Sequence, residues 1–288
     1  MFRNNQSMTM KMQRQKTVYR HAIATSVISV LTVPTCFFYI LLSPAWATPV
    51  AQVSATGFTP PPPPPDRDAP GNRGGGAGRG CGAGNQFITA LVPEYKQVLD
   101  RGAITKVWGT TIAERPTLWF DVPYEKGTIS TMEFVLQANS SPAKEIYRSE
   151  IMPPEGPGII SIHLPASIPP LEAGKLYTWF FKTRLQCGSS VAAAKPQLQK
   201  EELYGWVQRV SPSATLTSQL KQATPQQRAT LYAQNGIWFD ALTTLAEQRV
   251  ANPQDTRLTE DWNNLLKAVG LEKLAAKPLI QCCQPKRE

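Results

Sequence analysis

Leu171-Glu-Ala-Gly-Lys-Leu-Tyr-Thr-Trp-Phe-Phe-Lys-Thr-Arg-Leu185 is the stretch that decides the fold. From Leu176 it alternates, with Tyr177, Trp179, Phe181 and Leu185 on one side of an extended strand and Thr178, Lys182 and Arg184 on the other. That period of two is what a strand needs when one face is buried and the other meets water. Tyr177 and Trp179 are therefore expected in the core.

Working outward, short apolar runs separated by proline and glycine turns predict further strands at 117–122, 131–137, 145–150, 159–164 and 203–210. Six strands at this spacing argue for an all-β sandwich. Leu171-x-x-Gly174-x-x-Tyr177 resembles the approach to strand F of fibronectin type III and immunoglobulin-like domains, where a tyrosine corner closes the sandwich through its hydroxyl. The resemblance implies a sandwich of that kind over residues 87–215.

From about residue 216 the apolar period becomes helical. Thr224-Pro225 reads as a helix cap with proline at the first helical position. Helices are expected at 225–234, 237–250 and 256–269, broken by Asn235-Gly236, Asn252-Pro253 and Gly270. Tyr232-x3-Gly236-x-Trp238-x2-Ala241-x3-Leu245-x7-Pro253 resembles a single tetratricopeptide unit. A lone unit cannot bury its own face, so residues 216–288 are read as a small helical module packed on the sandwich. The fold class is then α+β by segregation. On the middle helix Ile237, Ala241, Leu242 and Leu245 make an apolar face, and Asp240, Glu247 and Arg249 the polar side. Trp238 lies on the broad apolar face and is read as core, with a partner anchor as the alternative.

At the other end, Arg3, Lys11, Arg14, Lys16 and Arg20 precede the apolar run Ala22 to Leu42 and then Ala45-Trp46-Ala47. A basic start, an apolar stretch and a small-x-small site predict a signal peptide over 1–47, cleaved after Ala47 at the Ala45/Ala47 motif. The run is long enough to span a bilayer, so an uncleaved anchor remains the alternative. Both place the body outside the cytoplasm, in the periplasm, cell wall or medium, and membrane contact is expected only through this segment. Cys36 follows Thr35, which argues against a lipidated cysteine. Residues 48–86 read as a disordered linker, stiff at the proline run Pro60 to Pro65 and flexible through the glycines of 71–84.

Without residues 1–47 the formal charge falls from +9 to +4, and residues 87–288 carry 22 Lys+Arg against 19 Asp+Glu with no basic block. That excludes nucleic acid as the expected partner. The cysteines outside the signal are Cys81, Cys187, Cys282 and Cys283. In an oxidising compartment Cys81 and Cys187 are the disulfide candidates, closing a loop of about 106 residues worth roughly 3–5 kcal/mol. Direct Cys282–Cys283 bonding is disfavoured because neighbouring residues would close a tight ring.

Catalytic raw material is thin. His163 is the single histidine after the signal, opposite the apolar set Ile160, Ile162 and Leu164, which makes it a solvent-face or edge residue rather than a general base. Glu114, Asp121, Glu133, Asp240 and Glu247 are available for a carboxylate pair. Asp255 and Asp261 lack a ligand-dense calcium loop. No cofactor or metal site is expected.

Together, Ala113-Glu-Arg-Pro-Thr-Leu-Trp-Phe-Asp-Val-Pro123, Gly205-Trp-Val-Gln-Arg-Val210, Gly236-Ile-Trp-Phe-Asp-Ala-Leu-Thr-Thr-Leu-Ala-Glu247 and Cys282-Cys283 resemble the cyanobacterial domain-of-unknown-function 928 family over about residues 85–283. The resemblance implies an exported protein with a proline- and glycine-rich lead-in, and it carries no catalytic residues. The expected function is a non-catalytic interaction module of the cell envelope that binds a protein or an envelope polymer. An envelope hydrolase with a carboxylate pair is the alternative.

Overall fold

In the strand Thr117–Val122 every residue from Leu118 onward is buried, so this strand has no solvent face and must be packed on both sides. The computed structural model describes residues 57–61, 71–74, 86–99, 102–187 and 197–283, all within the unit Gln52–Glu288. The strands are β1 (Thr89–Ala90), β2 (Glu94–Leu99), β3 (Gly102–Thr111), β4 (Thr117–Val122), β5 (Ile129–Ala138), β6 (Lys144–Ile151), β7 (Gly158–His163), β8 (Leu176–Cys187) and β9 (Gln197–Arg209). Four helices follow: α1 (Ala214–Gln222), α2 (Pro225–Gln234), α3 (Trp238–Ala251) and α4 (Thr256–Lys267). The class is α+β.

The strands form a three-stranded sheet, β1-β4-β7, and a six-stranded sheet, β2-β3-β9-β8-β5-β6. All pairings are antiparallel except β3 with β9. Phe120 of β4 joins the two sheets. Its ring stacks on Phe181 of β8 at 4.4 Å and meets Trp179 and Phe134 edge-on at 5.7 and 6.4 Å. The other face of β4 meets the C-terminal region. Trp119 donates from Nε1 to Thr243 Oγ1 of α3 at 3.0 Å, and Asp121 pairs with Lys277 at 3.4 Å. Residues 278–280 run beside β7, with bonds from Ile159 N to Pro278 O and from Ile280 N to Ile159 O, both 2.8 Å. The result is three layers, sheet on sheet on helix.

Tyr177 and Trp179 are 3% and 0% exposed. The backbone N–H of Glu172 donates to the Tyr177 hydroxyl at 2.8 Å, tying the approach of β8 to its first residues. Phe180 is the exception to the alternation, an aromatic ring on the outer side of β8.

Thr224 caps α2 through a reciprocal bond pair with Gln227, the arrangement that satisfies two orphan helix donors at once. Gly236, at φ 71°, turns the chain into α3 with Pro61 and Thr59 so close that a Cβ would sit 2.8–2.9 Å from them. Trp238 is fully buried. Its Nε1 donates to Leu91 O at 2.8 Å, and its ring meets Phe58 edge-on at 5.0 Å. It is a core residue, and the partner-anchor alternative is set aside. Helix α1 lies where the apolar period turns helical but is additional to the three helices expected; Ser213 caps it and only Leu216 is buried.

Two expectations need correction. Parts of the stretch read as linker belong to the fold: Thr59 N donates to Ala233 O at 3.1 Å, Gly71 N to Thr105 O at 2.8 Å, and Asn72 exchanges backbone bonds with Tyr204. This piece lies between β3 and β9, where their own parallel pairing has ended. A disulfide joins Cys282 to Cys283, contrary to the expectation from their adjacency, with Cys283 in the left-handed region at φ 72°. Cys187 is also disulfide-bonded; Cys81 lies outside the described residues.

Burial assigns costs to these contacts. Trp179→Ala and Trp238→Ala should each cost about 3–5 kcal/mol, and Tyr177→Phe about 0.5–1.5 kcal/mol. Lys277→Met leaves Asp121 buried without its counter-ion and should cost about 2–3 kcal/mol, part of which the double variant Asp121→Asn/Lys277→Met restores. Urea unfolding midpoints measure all of them; an unchanged midpoint for Lys277→Met would mean that the C-terminal segment does not hold β4.

Candidate functional site

The first turns of α3, the β3–β4 connection and the end of β7 enclose a cleft of about 230 Å3. Its lining includes Thr111, Arg115, His163, Tyr232, Asp240 and Glu247. Asp240 sits in the first turn of α3, where the helix dipole favours an anion. Its Oδ2 accepts from Thr111 Oγ1 at 2.7 Å and from Ile112 N at 3.2 Å. Burial pushes its carboxyl up to about 6, and the bonds from Thr111 and Ile112 oppose that rise. The polar stripe expected of Asp240 and Glu247 is thus divided. Asp240 is turned inward as a clamp between helix and sheet, while Glu247 is exposed.

His163 is exposed, opposite the buried Ile160, Ile162 and Leu164. It pairs across the sheet with Thr117, whose Oγ1 lies 3.0 Å from His163 Nδ1. The cleft therefore gathers two carboxylates, an imidazole, a guanidinium and a phenol from segments far apart in sequence. The remaining carboxylates are dispersed. Glu114 pairs with Arg209 at 3.4 Å, and Glu133 pairs with Arg148 at 2.6 Å on the outer sheet face. Asp121 is buried on the face of β4 that meets the C-terminal segment, and its carboxyl is raised by that burial against the pull of Lys277. Asp255 caps α4, and Asp261 accepts from Gln226 Nε2 at 2.9 Å. Among the described residues no cluster of three or more His, Cys, Asp or Glu side chains is placed to hold a metal ion, and no helix is long and apolar enough to cross a membrane. Ala45, Ala47 and Cys81 lie outside the described residues.

A second surface was missed by the sequence reading. On the outer face of the six-stranded sheet, Phe180 of β8 and Tyr204 of β9 are register partners, their rings stacked at 6.1 Å and 28°. Lys182 Nζ stands 5.4 Å from the Phe180 centroid. Phe180 and Tyr204, with Trp206, Asn139, Ser140, Ser141 and Thr178, border a hollow of about 540 Å3. The available signal was Phe180 itself, an aromatic among the polar residues of an alternating strand.

The Asp240 clamp has a pH signature. Between about pH 4 and pH 6 the folded chain keeps a proton on Asp240 that the unfolded chain has released. This group therefore lowers stability as pH rises through that window, by about 3 kcal/mol in all, and the cost is constant above it. Asp240→Asn keeps acceptors for Thr111 and Ile112 but removes the titration. The difference between variant and wild-type urea midpoints should grow in the variant's favour from pH 4 to pH 7; a constant difference would place Asp240 in solvent. Asp121 acts with the same sign in both proteins and cancels.

A family model described as Domain of Unknown Function (DUF928) matches residues 72–279. No curated protein and no solved structure matches the chain. The match begins at Asn72, which bridges to Tyr204, and ends at Leu279, which bridges to Ile159. It thus takes in the segments around Asn72 and Leu279 that bridge to the two sheets, and over that span the chain belongs to the DUF928 family.

Proposed function

We propose that this chain is an exported, non-catalytic interaction module of the cell envelope, binding a protein or an envelope polymer through the outer face of its six-stranded sheet. The observation that carries the reading is the Phe180–Tyr204 pair. Both rings are only half-buried and stack beside a hollow instead of entering the core, and aromatic surface left open to solvent marks binding faces. The basic and apolar N-terminal segment with Ala45-Trp46-Ala47 supports export, with the mature chain starting at Thr48.

An immunoglobulin-like identity for the sandwich fits this role. With β2 and β3 taken as additions, β1, β4 and β7 can be lettered A, B and E, and β6, β5, β8 and β9 C′, C, F and G, an order that supports this reading. Tyr177 then occupies the tyrosine-corner strand, F. We read α2 and α3 as a tetratricopeptide-like hairpin whose small residues Ala229, Ala233 and Ala241 are buried. From fold to function the step is analogy.

The cleft favours a second reading, an envelope hydrolase, because Asp240 and Glu247 line the same space. Its weakness is that Asp240 Oδ2 already serves Thr111 and Ile112. Incubating the full chain with isolated native envelope separates the two readings. An interaction module co-sediments with envelope material that is recovered chemically unchanged, and Glu247→Gln co-sediments equally. Release of soluble fragments by the wild type, abolished in Glu247→Gln, would establish the hydrolase instead.

A further inference from the structure

We infer that the hollow beside Phe180 and Tyr204 binds a neutral glycan strand, with pyranose rings stacked on the aromatic pair; this rests on the interaction-module reading above. Three features of the lining select that chemistry.

The first is the arrangement of rings. Phe180 and Tyr204 project side by side from adjacent strands at 28° to one another, and Trp206 continues the same face of β9. A pyranose with equatorial substituents has flat faces made of C–H groups. Such a face is apolar, carries slight positive charge on its hydrogens and complements the negative face of an aromatic ring.

The second is the polar margin. Thr178 Oγ1 donates to Asn139 Oδ1 at 2.6 Å, which orients the amide and leaves its N–H donors for a ligand. Ser140 is engaged with Pro142 O at 2.7 Å, and the exposed Ser141 beside it adds a hydroxyl. A few fixed amide and hydroxyl groups around an apolar floor suit a ligand with hydroxyls at its edges, and a volume of about 540 Å3 is ample for sugar units.

The third is charge. No ionisable group of either sign except the Tyr204 phenol lines the hollow. The charges around it are paired with one another: Lys182 with Glu202 at 3.7 Å, and Arg148 with both Glu133 and Glu145 at 2.6 Å. A phosphate-bearing polymer gains affinity from unneutralised cations, and the lining of the hollow offers none; Arg184 and Lys200, which carry charge on the same face, are register partners two pairs farther along β8 and β9. An anionic chain would meet a neutral surface, whereas a neutral glycan forfeits nothing there.

Calorimetric titration of the full chain with cellohexaose and with the hexamer of N-acetylglucosamine tests the assignment, with dextran sulfate as the anionic comparator. Binding of at least one hexasaccharide is expected, along with weakening by about tenfold or more in Tyr204→Ala and Phe180→Ala and retention within about threefold in Tyr204→Phe. Asn139→Asp places a charge at the margin without touching the rings and should also weaken binding; it carries the test if either alanine variant has a lowered urea midpoint. Binding of neither hexasaccharide, equal binding by Tyr204→Ala and wild type, or a preference for dextran sulfate would each overturn the proposal. If the chain co-sediments with envelope while neither hexasaccharide binds, the glycan assignment falls and the interaction-module reading stands. If it does neither, both fall.

Discussion

Strand β4 is buried on both faces, and the rest of the architecture answers that constraint. A strand with no solvent face needs two apolar partners. One is the six-stranded sheet, reached through Phe120; the other is assembled from α3 and the C-terminal segment, reached through Trp119 and Asp121. The helices are therefore the third layer of the core and not an appendage. Removing them would expose Trp119 and strand a buried carboxylate, so the sandwich and the helical module are expected to lose structure together.

Residues whose neighbours are local in sequence were legible. The alternation from Tyr177 to Leu185, the apolar-rich run of β4 and the Thr224-Pro225 cap each carry their structural signal within a few positions. The β2–β3 hairpin was not legible, because Glu94, Lys96 and Gln97 interrupt any apolar pattern and the reason β3 lies where it does is its parallel pairing with β9, almost 100 residues away. Residues 71–74 misled for a related cause. Their glycines read as flexibility, yet a Cβ on Gly71 would meet Val107 at 2.6 Å. There glycine permits two backbones to approach, and a sequence does not distinguish that use from a loose tether.

The two surfaces divide by polarity in an unexpected way. The cleft holds the groups a chemist would search for first, but its central carboxylate is occupied in joining α3 to the β3–β4 connection. The hollow on the outer sheet face has no carboxylate, imidazole or cation in its lining and offers half-buried rings instead. Helical periodicity placed Asp240 on a polar stripe because it counts only the residues of its own helix. The acceptor's partners, Thr111 and Ile112, lie well over 100 residues away, and that distance is why the clamp was invisible.

Because residues 57–61 are anchored on α2 and α3 and residues 71–74 in the sheet, the described part of the proline- and glycine-rich stretch is a piece of the body and not a spacer in front of it. Pro61, inside the proline run, and Gly71, beyond it, are both held by the body, so the residues between them join two points of the same fold.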